Sequence, residues 1–510
     1  MSFNFTPFVR SHFVSRLRQH ARYIDHAAAV QQGELVDLIE TAALTEFGRR
    51  YDFSTIRTYE EFARRVPLHR YEDLRAEVMK MVGGKSDVLW PGVTRRFAQS
   101  SGTSDGRSKY IPVTETSLRR NHYRGATDAV CHYLNLNPDS RLFSGKGLIL
   151  GGSFATELQA PGGVSVGDLS AHLIERVNPL VNLMRVPDKH IALMPDWEEK
   201  LPLLVEACAR ANVTSLSGVP SWMLTVLQRV LALRGARSIH EVWPNLEVFF
   251  HGGIAFAPYR TQYERICDPE RMRYINNYNA SEGFFAVQSS WETEAMLLLL
   301  DVGVFYEFIP IGQTDADTPD VLPAWEVSAG QTYELVITAC NGLWRYRIGD
   351  TVTVEQTRPV KIRIAGRTRS FINAFGEELM EHNADTAITE AARATGATVA
   401  NYHAAPLYAT DDRRGRHQWI VAFNRQPDSL DRFAELLDQE LQRANSDYQA
   451  KRAGNIFLDP PEVIAVAPEV FLSQLAATGR LGGQRKVPRL ANDRNIIGQL
   501  LQLAHEQADT

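Results

Sequence analysis

The sequence predicts an α/β protein, with a large N-terminal domain of mixed sheets and a small β-meander or barrel, then a smaller α+β domain. Three observations predict it. From about residue 86 short apolar runs ending in Gly, Ser or Asn alternate with helical stretches, the pattern of βαβ units around largely parallel strands. After Pro323 the period switches to two. Beyond residue 366 helices and strands interleave over about 145 residues. At roughly 150 residues per domain, length alone would allow about three domains. The pattern sets two, 1–365 and 366–510.

In chain order, residues 8–82 read as helices, with Leu35, Leu38, Ile39 and Ala42 at i, i+3, i+4 and i+7 and a break at Pro67. Leu148–Leu150, Thr214–Leu216, Leu246–Phe250 and Tyr274–Ile275 are strand candidates, separated by helices such as Leu201–Ala211 and Ser221–Leu233. Tyr333–Thr338, Leu343–Ile348, Thr351–Glu355 and Val360–Ile364 alternate like strands joined by turns at Asn341-Gly342 and Gly349-Asp350. The last domain carries helices over Glu377–Ala394, Leu430–Asn445 and Arg494–Glu506, and strands over His417–Phe423 and Glu462–Val466.

Composition narrows the function. The chain has 510 residues, 55 Lys and Arg against 60 Asp and Glu, and a net charge of −5. No basic run offers a phosphate-tracking footprint, so nucleic acid is not an expected partner. Cys131, Cys208, Cys267 and Cys340 are scattered without metal-ligand spacing and read as buried thiols in a reducing compartment. Residues Met1 to Asp25 lack an apolar h-region, and the apolar run Met296–Ile311 is interrupted by Asp301 and Glu307. A soluble cytoplasmic protein, off the membrane, is the expectation.

Four segments carry chemistry. Ser100-Ser101-Gly102-Thr103-Ser104-Asp105-Gly106-Arg107-Ser108-Lys109 supplies hydroxyls, backbone N–H groups and a cation, donors suited to a polyanion. It is not a Walker loop, because Arg107 stands where that motif needs glycine. A Ser/Gly surface loop is its plain reading. Phe250-His251-Gly252-Gly253 and Tyr278-Asn279-Ala280-Ser281-Glu282-Gly283 each follow a strand candidate, and loops at the carboxyl ends of strands line the crevice of open α/β sheets. Glu282 suits a magnesium ion bridging phosphates, or is a solvated turn glutamate. In Trp344-Arg345-Tyr346-Arg347-Ile348-Gly349-Asp350 the two arginines share one strand face, and Asp350, at a turn, could accept from ribose hydroxyls. Gly479 to Arg489 combines three glycines with four cations around Lys486.

Taken in order, these segments resemble the Gretchen Hagen three (auxin-responsive) family of acyl acid amido synthetases, a branch of the adenylate-forming enzyme superfamily. Ser100–Lys109 is similar to its SSGTSxGxxK phosphate motif, Tyr278–Glu282 to YxxSE, Tyr346–Asp350 to YR[VI]GD, and Gln484, Lys486, Pro488 and Arg489 to QxKxPR. Phe305–Pro310 resembles the family's FEFxP strand, and the similarity spans about residues 30–500. Arg107, Gly482-Gly483 and Arg485 depart from the plant pattern.

The resemblance implies a two-step ligase with a mobile C-terminal lid, hinged near Ile364–Arg369. A small carboxylic acid attacks the α-phosphorus of ATP to give an acyl-adenylate and pyrophosphate. An amino acid or other amine then displaces AMP. Ser100, Ser101, Gly102, Thr103, Ser104 and Lys109 would hold phosphate, and Glu282 would hold Mg²⁺. Gly252 and Gly253 would lie along adenine. Tyr278, Ala280, Ser281, Asp350 and Arg367 would complete the nucleotide site, with Asp350 on the ribose. Lys486 would stabilise the charge that develops during adenylation. Gly376, in Ile372–Glu378, would present backbone to the second step. Tyr123 and Trp222, with Val219–Met223, would line the acid pocket, although at helical spacing Trp222 and Met223 equally suit a core. The acid stays open among indole-acetic, jasmonic-like, benzoic or other small acids. Two alternatives stay open as well: a thioester-forming acyl-CoA ligase, and a non-catalytic nucleotide or small-acid binder.

Overall fold

The structure, a computed structural model, describes residues 4–100, 108–154, 158, 162–314, 316–367, 371–410, 413–455, 457–477 and 487–508. Ser101, Gly102, Thr103, Ser104 and Lys486 lie outside the described residues. The chain divides into two compact units near residue 368.

The first unit begins with helices that form where apolar residues recur at helical spacing. Leu35, Leu38, Ile39 and Ala42 make the buried face of Arg22–Ala42. Thr45 and Thr58 cap the next two helices, Glu46–Arg50 and Tyr59–Arg65, each accepting from a backbone N–H three residues on. Pro67 separates the second of these from Tyr71–Val82, as expected. A buried ion pair staples the start of the chain to the rest. Arg16 Nε donates to Asp128 Oδ1 at 2.8 Å and Arg16 Nη1 to Asp301 Oδ2 at 2.6 Å.

One mixed sheet of twelve strands forms the centre of this unit. Its order is Leu322–Pro323, Val304–Pro310, Thr332–Ala339, Leu343–Thr357, Val360–Arg367, Met296–Leu298, Gly283–Gln288, Arg273–Ala280, Val248–Gly252, Val213–Gly218, Lys146–Ile149 and Arg185–Val186. The last five are parallel neighbours; from Arg273–Ala280 back to Leu322–Pro323 every pairing is antiparallel. The meander expected after Pro323 is present, as the antiparallel half of this same sheet.

That half is strongly curled. Tyr306 and Phe285 stand on strands five steps apart, which a flat sheet would separate by about 24 Å. Their ring centroids are 6.2 Å apart, and the Tyr306 hydroxyl donates to the Phe285 carbonyl at 3.4 Å. The sheet wraps around a core that includes Tyr278, Phe285, Leu298, Tyr306 and Ile362.

Leu343–Thr357 is a single strand, not two joined at Gly349-Asp350. It is continuous because bulges absorb the irregular residues. Ala339 pairs with Leu343 and Ile337 with Tyr346, so the extra residue falls at Arg345, whose φ is +41°. Val336 pairs with Arg347 and Glu334 with Thr351, so a second bulge contains Gly349 at φ +88° and Asp350. The glycine that read as a turn is a bulge glycine.

Both arginines of this strand are structural. Arg345 Nε donates to Glu307 at 3.1 Å, and its Nη1 donates to the Ala63 and Val66 carbonyls at 2.8 Å. Arg347 Nε donates to Glu334 Oε1 at 3.0 Å. Glu307 and Glu334 are fully buried. On the other face Trp344 packs against Phe47, Phe53 and Trp90.

A separate three-stranded sheet pairs Arg96–Ser100 antiparallel with Lys109–Pro112 and parallel with Ser165–Gly167. All four cysteines are buried free thiols, and burial pushes each pKa up to about 12.

The second unit has the sheet Thr398–Leu407, Arg416–Arg425, Glu462–Val466, whose first strand was not among the expected ones. Helices Glu381–Ala394 and Leu430–Ala444 pack together, Ser446–Arg452, Pro468–Ala477 and Asn495–Ala508 follow, and Phe371–Ile372 pairs antiparallel with Leu379–Met380. The first helix starts at Glu381 and not at Glu377. The buried Glu377 carboxylate instead accepts from the Phe375 N–H at 2.6 Å, the Ala374 N–H at 3.2 Å and His417 Nε2 at 2.8 Å.

Removing one member of a buried ion pair leaves an uncompensated charge. Glu307→Ala is expected to destabilise the first unit by about 3–5 kcal/mol, seen as a lower urea midpoint. Glu307→Gln, which keeps hydrogen-bond acceptors for Arg345, is expected to lose less. A wild-type midpoint in Glu307→Ala would show that the pair carries no stability.

Candidate active site

The five parallel strands end at one edge of the sheet, where α/β proteins bind ligands. Short apolar strands deliver glycine-rich or small polar residues to this edge. Gly252 is the last residue of its strand and pairs with Asn277. A Cβ on Gly252 would lie 2.5 Å from the Asn277 carbonyl oxygen and 2.7 Å from Asn279 Oδ1, so only glycine fits. Gly253 follows with φ +82°. His251 is no base: it stacks on Phe256 with centroids 4.3 Å apart, and burial pushes its pKa down to about 3.

Tyr278 and Ala280 lie on a strand, Arg273–Ala280, rather than in a loop following Tyr274–Ile275. Ala280 pairs with Gly283, which leaves Ser281 and Glu282 as a two-residue hairpin turn. Glu282 is 8% exposed. Two asparagines with no role assigned from the sequence fix this turn. Asn341 Nδ2 donates to the Glu282 carbonyl at 3.1 Å. Asn121 accepts from the Phe284 N–H at 2.6 Å and donates to the Phe284 carbonyl at 3.0 Å. Asn121 belongs to a π-helical turn, Ser117–His122, a device common at functional sites. Asn341-Gly342 carried only a turn signal in the sequence, and Asn121 carried none.

Two of the expected motifs meet. The Tyr278 hydroxyl donates to Asp350 Oδ2 at 2.7 Å, and both residues are buried. Asp350 sits in the bulge rather than at a turn, opposite Arg367 in register. The side chain of Arg367 lies outside the described residues. Ser100 and Lys109 are cross-strand partners at the two ends of the segment carrying Ser101–Ser104.

The two acid-pocket candidates stand on different helices. Tyr123 is half-buried on Tyr123–Leu136, its hydroxyl donating to the Leu173 carbonyl at 2.9 Å, and burial pushes its pKa up to about 12. Trp222 is near the start of Pro220–Arg234, immediately after the strand Val213–Gly218, and meets Trp197 edge-on with centroids 5.0 Å apart. In the second unit Gly376 has φ +88°, in the loop held by Glu377.

Among the described residues one group has metal-ligand spacing, His20, Asp128 and Asp301. Arg16 already occupies both carboxylates, so the group is an ion-pair staple rather than a metal centre. Glu282 is not part of it. No helix among the described residues is long and apolar enough to cross a membrane.

Comparison with known proteins assigns the family. The GH3 family N-terminal domain matches residues 16–203 and 177–272, the central domain 297–367, and the C-terminal domain 382–495. A probable indole-3-acetic acid-amido synthetase, GH3.1 of Arabidopsis thaliana, is 24% identical over 92% of this chain and 90% of its own. The indole-3-acetic acid-amido synthetase GH3.8 of Oryza sativa subsp. indica is 24% identical over 93% of this chain and 90% of its own. The solved structure of the AtGH3.15 acyl acid amido synthetase in complex with 2,4-DB superposes with a TM-score of 0.61 at 17% identity, covering 98% of this chain and 97% of that one. A 2-hydroxyisobutyryl-CoA ligase bound to 2-HIB-AMP and CoA gives 0.57 at 15% identity, covering 96% and 94%. With domain models matched from residue 16 to residue 495, the chain belongs to the GH3 family.

Proposed function

We propose that the protein is an ATP-dependent ligase that activates a small carboxylic acid as its acyl-adenylate and couples it to an amino acid or other amine, releasing pyrophosphate and AMP. The observation that carries this reading is the Tyr278–Asp350 hydrogen bond, which unites two motifs 72 positions apart at the ligand edge of the sheet. In this reading the first unit is the nucleotide and acid platform in the cytoplasm, and the second is the lid.

The residues fit the group they would bind. Gly252 leaves room that any side chain would fill, and Asn277, beside it in register, has a buried Oδ1 with no hydrogen-bond partner among the described residues. An acceptor so placed suits the amino group of adenine. Asp350, held by Tyr278, is oriented to accept from ribose hydroxyls. Glu282, fixed in its turn by Asn121 and Asn341, is the carboxylate to hold magnesium, which when bound supplies charge neutralisation at phosphate oxygens. Ser100 to Ser104 and Lys109 contribute donors to phosphate, and Lys486 a cation to the reacting group. The relatives' activity as amido synthetases supports an amine in the acceptor role. The fold shared with a CoA ligase keeps a thiol acceptor as the second reading.

A panel of acids crossed with amino acids, hydroxylamine and CoA, read by AMP release, tests the assignment. At least one acid is expected to support pyrophosphate exchange and then amide formation. A thioester as sole product would select the second reading, and silence across the panel would leave a binder. Tyr278→Phe is expected to raise the KM for ATP about tenfold, the loss of a hydrogen bond worth about 1–1.5 kcal/mol, with the fold kept; an unchanged KM would separate Asp350 from nucleotide binding. Lys486→Ala is expected to lose adenylation by about a hundredfold or more while still binding ATP, and unchanged adenylation would remove its role.

A further inference from the structure

Lys200 has no part in the nucleotide site. It lies on the helix Trp197–Ala209 and is 1% exposed. An ammonium group has three donors. Lys200 Nζ donates to the Gly151 carbonyl at 2.9 Å and lies 4.5 Å from the centroid of the Trp197 ring. Among the described residues it forms no ion pair. Asp168, whose charge acts on it, is engaged elsewhere, accepting from the Ser153 N–H at 2.7 Å. A buried cation with donors left over is costly to keep charged. Burial pushes the Lys200 pKa down to about 8, with Asp168 opposing the shift.

The surroundings place this cation at the ligand edge. Gly151 comes just after the parallel strand Lys146–Ile149. Trp222, which meets the Trp197 ring, comes just after the neighbouring strand Val213–Gly218. The next strand end adjoins the same wall, since a Cβ on Gly253 would lie 3.4 Å from Val219 Cγ2. Lys200, Trp197 and Trp222 thus form a buried cationic and aromatic cluster beside the ends of the parallel strands that precede Gly252-Gly253.

We propose that Lys200 determines acid specificity: its remaining N–H donors receive an oxygen acceptor, a hydroxyl, oxo group or second carboxylate, that the acid carries away from its reacting carboxylate. The proposal rests on the ligase reading. The reacting carboxylate itself is a poor occupant, because an ammonium bound to it would stabilise the ground state that adenylation must leave. A buried donor left unpaired by an acid lacking the oxygen would reject that acid.

Matched acids test this: hexanoate against adipate, and phenylacetate against 4-hydroxyphenylacetate. Wild-type protein and Lys200→Met are compared by kcat/KM for AMP release and by thermal shift with the acid alone. In at least one pair the wild type is expected to favour the oxygenated acid tenfold or more, and Lys200→Met is expected to abolish or reverse that ratio with ATP binding retained. An equal ratio in the two proteins, or no preference in the wild type by either assay, would overturn the proposal. Should Lys200→Met not fold, Lys200→Gln, which keeps a donor for the Gly151 carbonyl, is expected to lose the adipate preference, and retaining it would overturn the proposal. If no acid supports adenylation, the ligase reading fails and the thermal shift alone decides. Stabilisation by the oxygenated acid in the wild type but not the variant supports Lys200 as its ligand, and equal shifts overturn it.

Discussion

The curl of the antiparallel half-sheet is the constraint on which the site depends. Tyr278 and Asp350 stand four strand steps apart, about 19 Å on a flat sheet, and are joined by a hydrogen bond of 2.7 Å. No side-chain choice at either position could close that gap unless the strands between them bent round. The Tyr306–Phe285 contact shows the same closure deeper in the core. Apolar packing inside the curl therefore sets the distance between two polar groups at its rim. Their mutual orientation is a product of the core.

Bulges in the strand Leu343–Thr357 set how that curl presents Asp350 to Tyr278. A regular strand would turn consecutive residues to opposite faces and hold every side chain in the pleat. The extra residues at Arg345 and around Gly349 increase local twist and re-aim the side chains beyond them. Arg345 and Arg347 then lock the irregular strand to Glu307 and Glu334. Without such pairs a strand with two bulges would be free to slip in register, and a slip of one residue would turn Asp350 away from Tyr278. Both cations are consumed in holding the strand that carries Asp350.

Much of this was legible in the sequence, for physical reasons. Alternating apolar runs gave the parallel strands, and heptad-like spacing gave Arg22–Ala42, because burial periodicity is local. The motif glycines and Glu282 stood out because small residues between apolar strands have few other uses. What could not be read was long-range. Gly349-Asp350 carries the same local signal whether it turns the chain or bulges a strand, and only pairing with Glu334 and Val336 decides. Tyr278 seemed to follow its strand because Asn276, Asn277 and Asn279 disfavour one, yet cross-strand pairing on both sides overrides that propensity. Lys200 left no trace, since a lysine in an amphipathic helix is ordinarily on its wet face.

In the ligase reading, the chemistry asked of the first unit is electrostatic rather than acid–base. A general base needs a pKa near the working pH. His251, beside Gly252, is pushed to about 3 by burial, and His122 and His172 to about 4. Such imidazoles are neutral and too weakly basic to take a proton at pH 7. Adenylation does not ask them to, because a carboxylic acid with an ordinary pKa near 4 is already an anionic nucleophile. The difficulty lies in bringing that anion to a phosphate already crowded with negative charge, and cations and oriented donors relieve it. An amine nucleophile differs, since it must shed protons as it attacks. In the ligase reading, a core that buries His122, His172 and His251 uncharged is matched to the first step, and the second step needs a proton acceptor other than these three.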